Sequence, residues 1–144
     1  MPQPMTRQQR YFILALDHVS AMQGQDAEIK DDYAALCHMM PPLVRNDGLC
    51  QAVAWIEAKA QAHPPTSLSM AYGLLRTHIA SLLADGANDH ADQLLTKVRE
   101  ASVTDYMRYT TVLLAASIYY KRFVQSVLGL TPTDADRVRD GGPR

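Results

Sequence analysis

Three groups of residues in this 144-residue chain carry side chains capable of chemistry. Asp85, Asp89, His90 and Asp92 crowd into one short stretch, and such residues serve acid–base catalysis or hold a hard cation. Carboxylates also gather at helix starts, where they cap orphan N–H groups and sit at the positive end of the dipole. Asp89, with Asp92 at the third helical position, fits that simpler role. Cys37, His38 and Cys50 could ligate zinc, but structural zinc takes four ligands at tighter spacings. Two reduced, partly buried thiols are the plainer reading. The third group is basic: Arg7, Arg10, Arg45, Arg108, Lys121 and Arg122, residue types that contact phosphates.

Catalytic signatures are missing. There is no glycine-rich phosphate loop, no His-Glu-x-x-His and no Gly-x-Ser-x-Gly. His18, His38, His63, His78 and His90 fall in five different segments, so no two share a helix face at ligand spacing. Small helical ribonucleases place an arginine four to six residues before a histidine. Arg10 and His18 are separated by seven residues here, and Arg76 and His78 by one, which disfavours that class. No catalytic residue, metal or cofactor is expected.

The elements that must position the basic residues are helical. Thr6 opens the first helix with Gln9 as its capping-box partner. Phe12, Ala15, Leu16, Val19 and Met22 form its buried stripe, and Gly24 ends it. A second helix starts near Asp26 and buries Ile29, Tyr33, Leu36, Cys37 and Met40. Pro41 and Pro42 are expected to stop or kink it. Gly48, after Asn46-Asp47, suits a left-handed helix-closing position. A third helix follows from about Leu49 to Ala62, and His63-Pro64-Pro65-Thr66-Ser67 is the clearest linker.

The fourth helix buries Leu68, Tyr72, Leu75, Ile79 and Leu82 and ends at Asp85-Gly86. A shorter fifth begins at Asp89. Ser102 caps the sixth, which runs to Leu128 over roughly 39 Å and is ended by Gly129. Its apolar face holds Tyr106, Thr110, Leu113, Leu114, Ser117, Tyr120, Val124 and Val127. The fold class is therefore all-α: a single six-helix, bundle-like domain over 6–129 with a long C-terminal helix. Flexible tails are expected at 1–5 and 130–144.

On that last helix Arg108 and Arg122 are fourteen positions apart, within ~40° on one side. Thr111 and Ala115 lie between them, so the face reads as lightly built and free of acidic residues. Lys121 borders the core face, where its stem can cover apolar surface. Arg7 and Arg10 lie off the buried stripe of the first helix, and Arg45 sits beside Gly48. Taken together they could read phosphates without reading bases. Overall charge argues neither way strongly: 14 basic and 15 acidic residues give a net charge of −1, which opposes binding through global positive charge but leaves room for one basic face. Apolar residues make up 47%, enough for a core without disulfides. The longest apolar stretch, Val112 to Tyr120, is far short of the ~20 residues that span a bilayer. No secretory segment is visible, and a cytoplasmic location with no membrane partner is expected.

Two segments resemble a known family. Tyr33-Ala-Ala-Leu, then Pro41, then Asn46-Asp47-Gly48-Leu49-Cys50-Gln51 before an apolar helix is similar to that family's tyrosine, proline and Asn-Gly-Leu-x-Gln pattern. Tyr106-Met-Arg108-Tyr-Thr110, followed by Lys121-Arg122-Phe123, is similar to its tyrosine-arginine-threonine and terminal Lys-Arg-Phe. The family is the all-helical small subunit of type III-B CRISPR (Cmr) effector complexes, and the likeness covers about Thr6 to Leu128. Thr111 departs from it, since that position is often acidic in the family.

The resemblance implies a non-catalytic building block of a ribonucleoprotein used in antiviral defence. Copies of the chain would stack head to tail beside larger complex subunits, lining the channel that holds guide RNA and target RNA. Cutting would belong to other subunits. It implies RNA-backbone contacts for Arg45, Arg108, Lys121 and Arg122, and for Arg7 and Arg10. Asn46, Gly48 and Gln51 would shape the turn. The competing readings are a helical protein-interaction module without nucleic acid, suited by off-stripe Ile13, Leu14, Ile118 and Tyr119, and a small enzyme built on Asp89, His90 and Asp92.

Overall fold

The computed structural model describes residues 5–84 and 90–130, and every regular element among them is helical. In chain order these are α1 (Arg7–Ala21), α2 (Ala27–Asp47), α3 (Leu49–Ala60), α4 (Ser67–Leu82), α5 (Leu94–Arg99) and α6 (Val103–Ser126), with short 3₁₀ turns at Met22–Gly24 and Ala91–Gln93. The N-terminal box forms as its residue types dictate. Thr6 Oγ1 accepts from the Gln9 N–H at 3.1 Å, and Gln9 Oε1 accepts from the Thr6 N–H at 2.7 Å. Thr66 and Ser69 build a second reciprocal box at the start of α4. Ser102 Oγ accepts from the Asp105 N–H at the start of α6. At its far end Gly129, with φ 71°, turns the chain so that the Leu130 N–H reaches the Val124 carbonyl.

The core is organised around α2. Residues 32–37 are all buried, so this stretch is enclosed on every side rather than amphipathic. It packs against α4 on one side and α6 on the other, while α1 lies along α6 and α3 along α4. Ile29, Tyr33, Leu36, Cys37 and Met40 are buried as their spacing predicts.

Three expectations fail. Helix α2 does not stop at Pro41-Pro42 but continues to Asp47. Two prolines withdraw the N–H donors that would reach the Cys37 and His38 carbonyls. Opposing that loss, Met40, Pro41 and Val44 are all buried on the core side, and ending the helix early would expose them. In α1 the buried aromatic is Tyr11, whereas Phe12 is 46% exposed and Leu16 only partly covered. Ala15, Val19 and Met22 are buried as expected, but the stripe takes in Tyr11 in place of Phe12 and Leu16, because α1 is held between α6 and the end of α4. Leu68 is likewise exposed at the start of α4. The expected helix start at Asp89, the close of α4 at Asp85-Gly86 and the stretch 131–144 lie outside the described residues; the helix proper begins at Leu94.

Candidate nucleic-acid interface

Arg7 and Arg10 are three positions apart on α1, hence on one face. Opposite them α6 presents Arg108 and Thr111, and the two helices enclose a groove of about 450 Å³ lined by all four. Tyr11 forms part of its wall and also borders a second groove of about 220 Å³, which contains Arg122 and Ala115. Four of the six basic residues singled out from sequence therefore lie along one seam. Arg45 and Lys121 line neither groove. Arg45 is exposed in the last turn of α2, and Lys121 is partly covered on α6.

Each guanidinium has a distinct setting. Arg10 Nη1 and Nη2 donate to the Leu82 and Ser81 carbonyls at 3.3 and 3.5 Å, so this side chain satisfies acceptors at the C-terminal end of α4. Arg108 Nη2 meets Asp105 Oδ1 at 3.3 Å, with both side chains 47% exposed, and its guanidinium lies 4.8 Å from the Tyr109 ring centroid. The face expected to lack acidic residues thus carries Asp105. A carboxylate three residues before an arginine, in the first turn of a helix, is drawn there both by the dipole and by that arginine. Exposed pairs of this kind contribute about 1 kcal/mol or less, so a phosphate can displace the carboxylate at small cost. No carboxylate lines either groove among the described residues.

The Asn46–Gln51 corner is held by backbone chemistry. Gly48 has φ 87° and ψ 162°, a positive-φ region open essentially to glycine but extended rather than left-handed helical. Its N–H caps α2 by donating to the Val44 carbonyl, and its own carbonyl accepts from the Ala52 N–H in α3. The Cys50 N–H, orphaned in the first turn of α3, donates to Tyr106 Oη at 2.9 Å. Tyr106, one residue of the second motif, therefore bonds directly to the first motif.

A polar cluster invisible in the linear sequence occupies the centre. His18 of α1 and His78 of α4 stack with centroids 4.1 Å apart and rings 2° from parallel. His18 Nδ1 is 2.6 Å from Tyr120 Oη of α6, and His78 Nδ1 is 2.6 Å from Tyr33 Oη of α2. Four helices thus meet in one hydrogen-bonded plug. Burial, reinforced by the neighbouring His18, pushes His78 down to about 3. Burial also lowers His18 against the pull of Asp17. The Cys37 thiol, opposed only by a hydrogen bond with Tyr33, is pushed up to about 12 by burial, which makes it a poor nucleophile. The two histidines stand far apart in the chain, and no periodicity links them.

The acidic cluster offers less. Asp85 and Asp89 lie outside the described residues, while His90 is exposed at the start of the second 3₁₀ turn and Asp92 is exposed within it. Among the described residues no group of three His, Cys, Asp or Glu side chains is placed to hold a metal ion. Both cysteines are free. Among the described residues no helix is long and apolar enough to cross a membrane.

Comparison with known proteins agrees with the helical architecture. The profile of the family described as CRISPR-associated protein (Cas_Cmr5) matches residues 7–127. The CRISPR system Cmr subunit Cmr5 of Thermus thermophilus is 29% identical over 106 residues, covering 74% of this chain and 83% of that protein. The crystal structure of a CRISPR-associated Cmr5 family protein from Thermus thermophilus superposes with a TM-score of 0.65 at 28% identity, covering 85% of this chain and 97% of the other.

Proposed function

The chain belongs to the Cas_Cmr5 family of CRISPR-associated proteins, and on that premise we propose that it is a non-catalytic structural subunit of a type III-B Cmr ribonucleoprotein. In this reading copies of the chain stack into a short filament beside the other subunits and touch the backbone of guide and target RNA. The observation that carries it is the seam between α1 and α6. Arg7, Arg10 and Arg108 converge there on one groove, Arg122 follows in the next, and no carboxylate lines either among the described residues. With a net charge of −1, the chain attracts a polyanion through such a local concentration of cations rather than through its overall charge. Each copy needs to neutralise only a few phosphates, since stacking converts weak contacts into avidity. Sequence discrimination is left to base pairing with the guide. Arg45 and Lys121 belong to the proposed contact set on the strength of the family resemblance, as residues outside this seam.

The test is a salt titration of RNA capture by the reconstituted assembly, with and without Arg108→Glu plus Arg122→Glu. Losing two phosphate contacts should flatten the plot of log affinity against log salt by about 1.4–1.8. An unchanged slope and affinity, in an assembly of normal composition and helix content, removes these arginines from the interface. A reading without nucleic acid is favoured by exposed apolar side chains such as Phe12, Ile13 and Ile118. It requires RNA capture that is indifferent to salt.

A further inference from the structure

A third groove adjoins the cationic seam. It measures about 400 Å³ and is lined by Met5, Gln8, Gln9, Phe12, Ile13 and Tyr119. It is not isolated: Gln8 and Tyr119 also line the middle groove that holds Arg122, and Tyr11 joins the middle groove to that of Arg7, Arg10 and Arg108. The three form one trough along the seam between α1 and α6. On α6 it extends from Thr104 to Arg122, a rise of about 27 Å. One end is cationic and the other aromatic, and no carboxylate lines any part of it among the described residues.

The aromatic end is preorganised. Phe12 is 46% exposed, yet its ring is fixed by edge contacts to Tyr119 at 6.1 Å and to Phe123 at 5.2 Å. A ring supported from the protein side and open on the other costs little entropy to bind against. Gln8 offers an exposed amide at the pocket edge, with both donor and acceptor.

We propose that this pocket accepts an unpaired nucleobase of a single-stranded RNA whose phosphates follow the arginines of the trough. The inference rests on the RNA-backbone role given above and adds a base-stacking site to it. A base stacked on the open face of Phe12, with the nearly perpendicular Tyr119 ring at its edge, is attached to a sugar-phosphate that reaches Arg122 in the adjoining groove. Stacking tolerates every base, because any base offers a π face, and the Gln8 amide, with donor and acceptor, can meet differing base edges. Charge decides for this occupant. A peptide segment needs only the apolar end, whereas a strand of nucleic acid uses the guanidiniums and the aromatics as one continuous surface.

The full-length chain is titrated, by fluorescence anisotropy, with a short oligoribonucleotide and with an abasic ribose-phosphate oligomer of equal length and charge. The intact strand should bind about ten- to a hundredfold more tightly than the abasic one. Phe12→Leu, apolar and at a half-exposed position, should abolish that difference while leaving the salt slope intact. Arg122→Glu should weaken both ligands alike. Equal binding of the two oligomers by the unmodified chain overturns the stacking site even if the variant fails to fold, and leaves the backbone reading standing. Salt-independent or absent binding of both overturns the backbone reading itself. Loss of subunit capture by Phe12→Leu with no change in either oligomer would assign the pocket to a protein and also refute the proposal.

Discussion

Acidification should unlock the His18–His78 plug, and the structure sets the size of the effect. His78 is held at about 3, against 6.5 in the unfolded chain. Between those values the unfolded state binds a proton that the folded state refuses, so stability rises with pH. The contribution is fully present above 6.5 and is lost as pH falls toward 3. For this one group the slope approaches about 1.4 kcal/mol per pH unit, giving about 2 kcal/mol between pH 6.5 and about 4.5 and about 5 kcal/mol in all. His18, also lowered, steepens the same loss. A domain of this size has only about 7–20 kcal/mol of stability, so the effect is large. The assay is urea unfolding followed by far-ultraviolet circular dichroism at stepped pH, on the unmodified protein and on His78→Asn. Asparagine keeps an acceptor near the Nδ1 position for Tyr33 but cannot take up the proton. Carboxylate titration affects both proteins equally, so the difference in slope isolates the imidazole. Parallel stability curves for the two proteins over pH 6.5–4.5 would refute the reasoning.

Two further substitutions test the corner and the proline pair. Gly48→Ala places a Cβ 3.6 Å from Tyr106 Oη, an ordinary contact, but at φ 87°; the expected loss is about 1–3 kcal/mol from backbone strain alone, read from the urea midpoint. Pro42→Ala replaces an exposed residue in mid-helix and returns a donor for the His38 carbonyl. It should raise stability by about 1–3 kcal/mol in the same measurement, and a loss would show that Pro42 is favoured by contacts its exposure conceals.

What the sequence reveals is what neighbouring residues decide. The Thr6–Gln9 box, the Ser102 cap and the helix-closing Gly129 depend on partners a few positions away, and each is legible without coordinates. The failures in helix ends and buried stripes are decided at a distance. Pro41 and Pro42 argue locally for a stop, but α4 and α6 enclose α2 and the burial of Val44 outweighs them. Phe12 and Tyr11 are adjacent aromatics, and only the position of α6 determines which one is covered. The arginine seam is half legible. Fourteen residues of helical phase connect Arg108 with Arg122, but nothing in the chain order brings Arg7 and Arg10 beside Arg108. Asp105 reads from sequence as part of a cap, and its second contact, with Arg108, is a signal that the spacing of three residues does offer. The Phe12 pocket is hidden for the same reason as the exchange of Phe12 for Tyr11 in the buried stripe of α1.

Arg10 serves two structures at once. Its guanidinium holds the final carbonyls of α4 and faces the trough that α1 makes with α6. An anion that pulls this guanidinium into the groove draws it away from Ser81 and Leu82. Occupancy and fraying of α4 are then reciprocally linked, and amide exchange at the end of that helix becomes a gauge of whether the distant groove is filled.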